Sequence, residues 1–550
     1  VSEAAVAPTA GVRLSRRPSA LLLLRAAGLL LVAAVLVPVL VLLSSWASPE
    51  GDVWQHLADT QLAQLLLNTV ILMVGVGLLV TVLGVSLAWC TAMCDFPGRG
   101  WFEWLLMLPL AVPAYVMAFV VLGVFDFGGP LQGYLRGILG PHWGVDVRST
   151  ASVIVVFGLV LYPYVYMLAR SAFLSQSTET LEVARVLGCT GRQAFLRVAL
   201  PMARPAIAAG IALALMETLA DFGTVAVFNF DTFTTAIYKS WFGFFNLQAA
   251  AQLASLLLLF VALTLFAERQ SRGRSRFVQG GRLQHRQRYQ ASPLLGACLF
   301  TYCSLVLLLA FVLPMVQLLL WAVGEGAEQL NARFFDLLGH SLWLAGMAAG
   351  LTVALALILA FCRRFSSLRG GNIYAAAQLG YALPGSVLAV GIMMSFTWIE
   401  HNALAPLQRS LGFDPQPLLL GSVLTLLAAY WIRFLAVASG PLESALERVR
   451  PSLPEAARTL GAGNWRVLRE VYLPMLRPGV FTALVLVFVD VMKEMPATLL
   501  LRPFGWDTLA VRIFEMTAEG QWEMAALPSL ALVLAGLVPV MLSIRASRLH

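Results

Sequence analysis

Long apolar runs set the frame of this chain. They fall near residues 21–44, 63–90, 104–124, 151–172, 204–228 and 247–267. A second set falls near 294–323, 340–362, 373–398, 418–439, 479–501 and 523–544. A helix crossing a bilayer needs about 20 apolar residues, whereas barrel strands would alternate over ~10-residue segments. The pattern predicts an all-α polytopic membrane protein with about twelve transmembrane helices. The first run is longer than the ~7–15 residue apolar core of a signal peptide, so it reads as a retained span.

The polar stretches between the runs carry the organisation. "ERQSRGRSRFVQGGRLQHRQRYQASP" (Glu268–Pro293) is a basic, solvated linker with six runs on either side. The chain therefore divides into a first repeat over 1–270, a linker over 271–292 and a second repeat over 293–550. Two further polar segments resemble each other: "LEVARVLGCTGRQAFLRVALPMARPAI" (Leu181–Ile207) and "PEAARTLGAGNWRVLREVYLPMLRPGV" (Pro454–Val480). At an offset of 273, Glu182 falls on Glu455, Leu187-Gly188 on Leu460-Gly461, and Leu200-Pro201 on Leu473-Pro474. Each copy follows the fourth span of its half, so both face the same side. The halves are parallel repeats, related by an axis along the membrane normal.

The second copy predicts a helical hairpin. Ser452 and Glu455 have capping-box spacing, with Pro454 in the first turn. Gly461 and Gly463 end that helix, "NWRVLREVYL" forms another that Pro474 stops, and Pro478 precedes the next span. An ordinary amphipathic interface loop would look similar, but repetition at constant spacing favours a docking element.

Charge sharpens the picture. Charged residues make up 12% of the chain and mean hydropathy is +0.81, against roughly 25% charged in soluble domains. Net charge is +8. In a membrane protein this excess marks cytoplasmic loops rather than a nucleic-acid partner. With the N-terminus inside, outside loops hold only Arg136, Arg148, Lys239, Arg333, Arg409, Arg502 and Arg512 among basic residues. Arg433 and Lys493 fall within spans, and the rest gather inside. Both termini are then cytoplasmic. None of the six cysteines falls in an outside loop, so no structural disulfide is implied. Cys90 and Cys94 share a helix face without further metal ligands. The histidines are scattered, which argues against a membrane enzyme. A Walker A loop requires Gly-Lys-Ser/Thr, and the only lysines, Lys239 and Lys493, follow Tyr238 and Met492. Any driving nucleotide must bind a separate subunit.

Ionisable residues inside spans point to function. The same offset places Glu217 on Asp490 and Asp221 on Glu494, two acids per half spaced i, i+4. Counted from Pro201, Glu217 lies roughly 24 Å and Asp221 roughly 30 Å along a helix. Two readings stand: the acids reach water at the outer ends of spans, or they line a cation route. Lys493 is placed to pair with a carboxylate there. Hard cations prefer oxygen donors, so transient Fe3+ at Asp221 and Glu494 fits the second reading. Tyr162, Tyr164 and Tyr166 are either further oxygens or packing residues.

The repeated segments resemble the EAA loop of binding-protein-dependent ABC importer permeases of type I. The residues that carry this are Glu182, Ala184, Gly188, Leu200 and Pro201, then Glu455, Ala456, Ala457, Gly461, Leu473 and Pro474. The first copy departs, with Val183 for the middle Ala. The resemblance implies that these loops couple the spans to a cytoplasmic ABC ATPase homodimer. ATP and Mg would then sit on that partner, and this chain would bind no cofactor. "ETLADFGTVAVFNFDTFTTAIYKSWFG" (Glu217–Gly243) and "DVMKEMPATLLLRPFGWDTLAVRIFE" (Asp490–Glu515) resemble fused ferric-iron permeases. That implies a bacterial inner-membrane permease receiving Fe(III) from a periplasmic binding protein. Related permeases for thiamine, sulfate or polyamines remain alternatives, as does an ion-coupled secondary transporter.

Overall fold

The computed structural model describes residues 18–47, 51–140, 142, 144, 146–176, 183–184, 186–272, 289–365 and 377–548. Among them, 10 helices are long and apolar enough to cross a membrane, from Arg25–Ala47 to Trp465–Lys493. A further crossing is broken: Arg99–Ala111 and Ala114–Phe125 meet at 88°. The last apolar run forms the helix Ala526–Arg548. Among the described residues each predicted run contains helix, but not always one unbroken helix. The break follows from Pro113. A proline pushes the residue before it out of the helical region, and Val112 is extended at φ −89°, ψ 118°. Pro113 then opens the helix Ala114–Phe125.

Prolines shape the spans in a second way. Pro201, Pro314, Pro406 and Pro474 each follow a π-turn by two residues: Phe195–Ala199, Leu308–Val312, Glu400–Leu404 and Leu468–Tyr472. In each, the residue before the proline donates its N–H five residues back, as Leu473 does to Leu468 O. Proline brings no N–H, and its ring crowds the carbonyl four residues earlier. The wider turn places a spare carbonyl where the donor is missing. Pro474 therefore does not stop the second loop helix, as its sequence suggested. The helix passes through it, and Trp465–Lys493 is one continuous span.

The chain divides into two compact units that do not follow the two sequence halves. One holds residues before Leu42 with Leu342–Leu383 and Gly391–Val491; the other holds Leu42–Ser341, Pro384–Val390 and Met492–His550. In the second unit, Ala63–Met93, Thr150–Ser175 and Leu200–Ala220 pack side by side. Small residues let these backbones approach. A Cβ on Gly84 would lie 2.6 Å from Val165 Cβ, and one on Gly210 would lie 2.7 Å from Val165 Cα. Tyr162 and Tyr166 are fully buried. They donate to Leu106 O (2.9 Å) and Glu103 O (3.1 Å), tying the Arg99–Ala111 segment to the Thr150–Ser175 helix. Their hydroxyls serve packing.

Candidate functional site

The second EAA-type loop lies in the first unit. Its opening helix is Ser452–Thr459. The expected capping box is not formed. Pro451 already has helical angles, φ −54° and ψ −32°, and its carbonyl accepts from Glu455 N (3.3 Å). The helix therefore starts one residue early, and Ser452 lies inside it instead of at the cap. Glu455 stands in the first turn, exposed, where a carboxylate favours the positive helix end.

Both loop copies end their first helix alike. Gly461 has φ +85° and Gly188 φ +87°. Ala462 N donates to Ala457 O and Cys189 N to Ala184 O, each at 3.0 Å. This is the left-handed glycine closure in which an N–H reaches back five residues to cap the helix carbonyls. A Cβ on either glycine would meet nothing within 4 Å. The requirement is therefore the backbone angle, not space.

The second loop rests on a small core of Ala360, Leu446, Val449, Val467, Tyr472 and Leu476. Arg364 fastens its approach by donating to Leu446 O (2.9 Å) and Val449 O (2.7 Å). Above this core the hairpin presents Glu455, Ala456, Leu460 and Trp465 outward, with Ala457 half-buried. Leu460 is 87% exposed, too much for a residue packed within its own chain. In the first copy Ala184 is buried while Val186 and Leu187 are exposed. Pro201 and Pro474 are exposed behind their π-turns. Glu182 lies outside the described residues.

The acids are arranged differently from the expectation of two per helix face. Glu217 and Asp490 lie within their helices, Leu200–Ala220 and Leu473–Lys493, and are half-buried. Asp221 and Glu494 are the first residues beyond those helices. Asp221 is extended at φ −71°, ψ 137°. Each acid instead caps the next short helix, Gly223–Val227 or Pro496–Leu501. Asp221 Oδ1 accepts from Thr224 N (2.7 Å) and Oδ2 from Thr224 Oγ1 (3.1 Å). Glu494 Oε1 accepts from Ala497 N (3.1 Å). Thr224 and Ala497 are themselves 273 residues apart, so the two caps are repeats of one another. The spanning helices thus end at Ala220 and Lys493, before the apolar runs do at 228 and 501.

Beyond each cap the pattern continues. Thr232 caps Phe233–Tyr238 and Thr508 caps Leu509–Ala518, each preceded by an Asp. Asp231 pairs with Lys239 at 2.6 Å, while Arg502 bridges Asp507 and Glu515, both at 2.7 Å.

In the second unit the two acid-bearing turns meet. A Cβ on Gly223 would lie 2.6 Å from Met495 Cε and 2.7 Å from Tyr115 Cβ. Tyr115 opens the helix that follows the break in the third crossing. Sequence reasoning did not single it out. Its side chain packs against Gly223, two residues after Asp221, where Met495, the residue after Glu494, also arrives. Lys493 donates to Leu110 O at 3.1 Å. Pro113, three residues on, has no N–H to offer that carbonyl, so the ammonium serves the broken span. Asp490 falls in the other unit. Among the described residues, no group of three or more His, Cys, Asp or Glu is placed to hold a metal ion.

The signal for these turns was present in Pro496. Pro496 opens the short helix Pro496–Leu501, a position where its missing N–H costs nothing, and the preceding helix ends at Lys493. The 273 offset carries the same break back to Asp221–Phe222.

The family described as binding-protein-dependent transport system inner membrane component matches residues 80–274 and 352–549. The chain belongs to that family. The Fe(3+)-transport system permease protein FbpB 2 of Haemophilus influenzae is 29% identical, over 88% of this chain and 90% of that protein. The sulfate transport system permease protein CysW of Escherichia coli is 31% identical, over 36% of this chain and 68% of its own. The molybdate/tungstate transport system permease protein WtpB of Thermococcus kodakarensis is 26% identical, over 46% of this chain and 94% of its own. This family member is therefore a fused permease with two copies of the permease domain, set in the membrane by its apolar helices. Its relatives are permease proteins of transport systems.

Proposed function

We propose that the chain is the permease subunit of an ATP-driven importer that moves ferric iron into the cytoplasm of a bacterium. A periplasmic binding protein delivers the ion. The loops at 181–207 and 454–480 dock a separate ABC ATPase homodimer, which carries ATP and Mg. Both termini are cytoplasmic. The observation that carries the cargo is the end-to-end match to an Fe(3+)-transport permease. The sulfate and molybdate/tungstate relatives cover less than half of this chain.

Sulfate is the second reading, because that relative has the higher identity where it aligns. Electrostatics argues against it. Carboxylates at both acid-bearing turns attract a cation and repel an oxyanion. The test is uptake of radioactive iron and of radioactive sulfate in a deletion strain carrying this chain with its genomic neighbours. ATP-dependent iron accumulation is expected. Accumulation of sulfate without iron would overturn the ferric reading.

A further inference from the structure

We propose that Tyr115, Asp221 and Glu494 form one oxygen-donor site through which the ferric cargo passes. This rests on the ferric reading above and names the ligands for it. Two carboxylates alone would carry little weight, since each is occupied as a helix cap. Tyr115 supplies the independent observation. Its side chain is 6% exposed, and its hydroxyl has no hydrogen-bond partner. A buried hydroxyl left without a partner costs about 1–3 kcal/mol. By contrast, Tyr162 and Tyr166, fully buried in the same unit, both have partners. The orphaned phenol belongs to a side chain packed at the place where Gly223 lets the two acid-bearing turns touch.

The donor set suits the cargo. Phenolate and carboxylate are hard oxygen ligands, and a trivalent cation offsets the charge they carry. When the ion binds, the phenol O–H is replaced by an O–Fe bond and the proton leaves to water. No electron is transferred. The hydrogen bonds from Thr224 and Ala497 hold each carboxylate in place. Three donors are fewer than a ferric ion's full shell, so the site is suited to passage rather than storage. A conduction site must bind well enough to admit an ion and weakly enough to release it.

The test uses the full-length permease in cells and purified with its ATPase, with ferric citrate as the probe. Tyr115→Phe removes only the hydroxyl. Glu494→Gln and Asp221→Asn remove charge but keep an acceptor for each cap. The wild type should show a visible phenolate-to-iron charge-transfer band, and Tyr115→Phe should lack it. Initial iron uptake should fall by about tenfold or more in all three variants at equal membrane abundance. If Tyr115→Phe does not reach the membrane, the two amide variants decide by the same uptake criterion. Uptake at the wild-type rate, or no band from the wild type, overturns the assignment. If wild-type cells accumulate no iron at all, the ferric reading itself has failed, which is a separate result.

Discussion

At Asp221 two demands fall on one carboxylate. It caps the helix Gly223–Val227 through Thr224, and it is an ionisable group at the end of a membrane-spanning helix. Substitution separates the two roles. Asn keeps an oxygen for Thr224 N, so Asp221→Asn should melt within a degree or two of wild type in detergent. Asp221→Ala removes the acceptor as well, and loss of such a cap costs about 1 kcal/mol. Its melting temperature should therefore be lower than that of the Asn variant, although both lose iron uptake. Equal melting temperatures would show that the cap contributes nothing measurable. The spacing of Glu217 and Asp221 predicts one helix face, yet the helix ends between them. The apolar run masks this, because Phe222, Val225 and Val227 continue it past the break. Those residues are buried in a short capped helix, not in the span.

The elements that matter are the breaks. Helices broken inside a membrane occur where backbone is buried in protein or lines a cavity. In the second unit the turn after Leu200–Ala220, the turn after Leu473–Lys493 and the bend at Pro113 come together. Gly223 is the contact point, and it has no room for a side chain. Met495 Cε is the flexible end of a side chain and can yield, but Tyr115 Cβ is fixed to its own helix. Gly223→Val should therefore displace Tyr115 and cut iron uptake severely, by more than Met495→Leu does. Membrane abundance by immunoblot and uptake rate check this together. Uptake equal to wild type in Gly223→Val would mean that the turns do not need to touch. Much of this architecture was legible. The apolar periods give the helices, the 273 offset gives the repeat, and Pro113 and Pro496 mark breaks. The meeting of the turns was not legible, because Tyr115, Gly223 and Met495 are far apart in sequence and no local pattern ties them. The π-turns were missed for a related reason: Pro474 signals a helix stop locally, but a single wide turn absorbs it.

At the scale of the whole molecule, one chain carries two copies of the EAA-type loop, one in each compact unit. The closures at Gly188 and Gly461 share their backbone angle and their hydrogen bonds, which is the repeat expressed in conformation. A loop that served only to connect spans would bury its apolar side chains. Here Val186, Leu187, Leu460 and Trp465 are left exposed, as on a surface awaiting a partner. Glu455 sits beside that surface in the first turn of its helix. The repeat places Glu182 at the matching position of the other loop. If the loops dock a dimeric ATPase as proposed, reversing one charge should weaken docking modestly, because the second loop still holds it. Linked contacts then keep the effective concentration high. Reversing both removes that advantage. Glu455→Lys alone should keep most of the permease-stimulated ATP hydrolysis, whereas Glu182→Lys with Glu455→Lys should lose it and leave the protein in the membrane. Hydrolysis by purified complexes in lipid nanodiscs measures the difference. Full stimulation in the double variant would refute a coupling role for the acids. Equal loss in the single and double variants would refute the sharing of load between the loops.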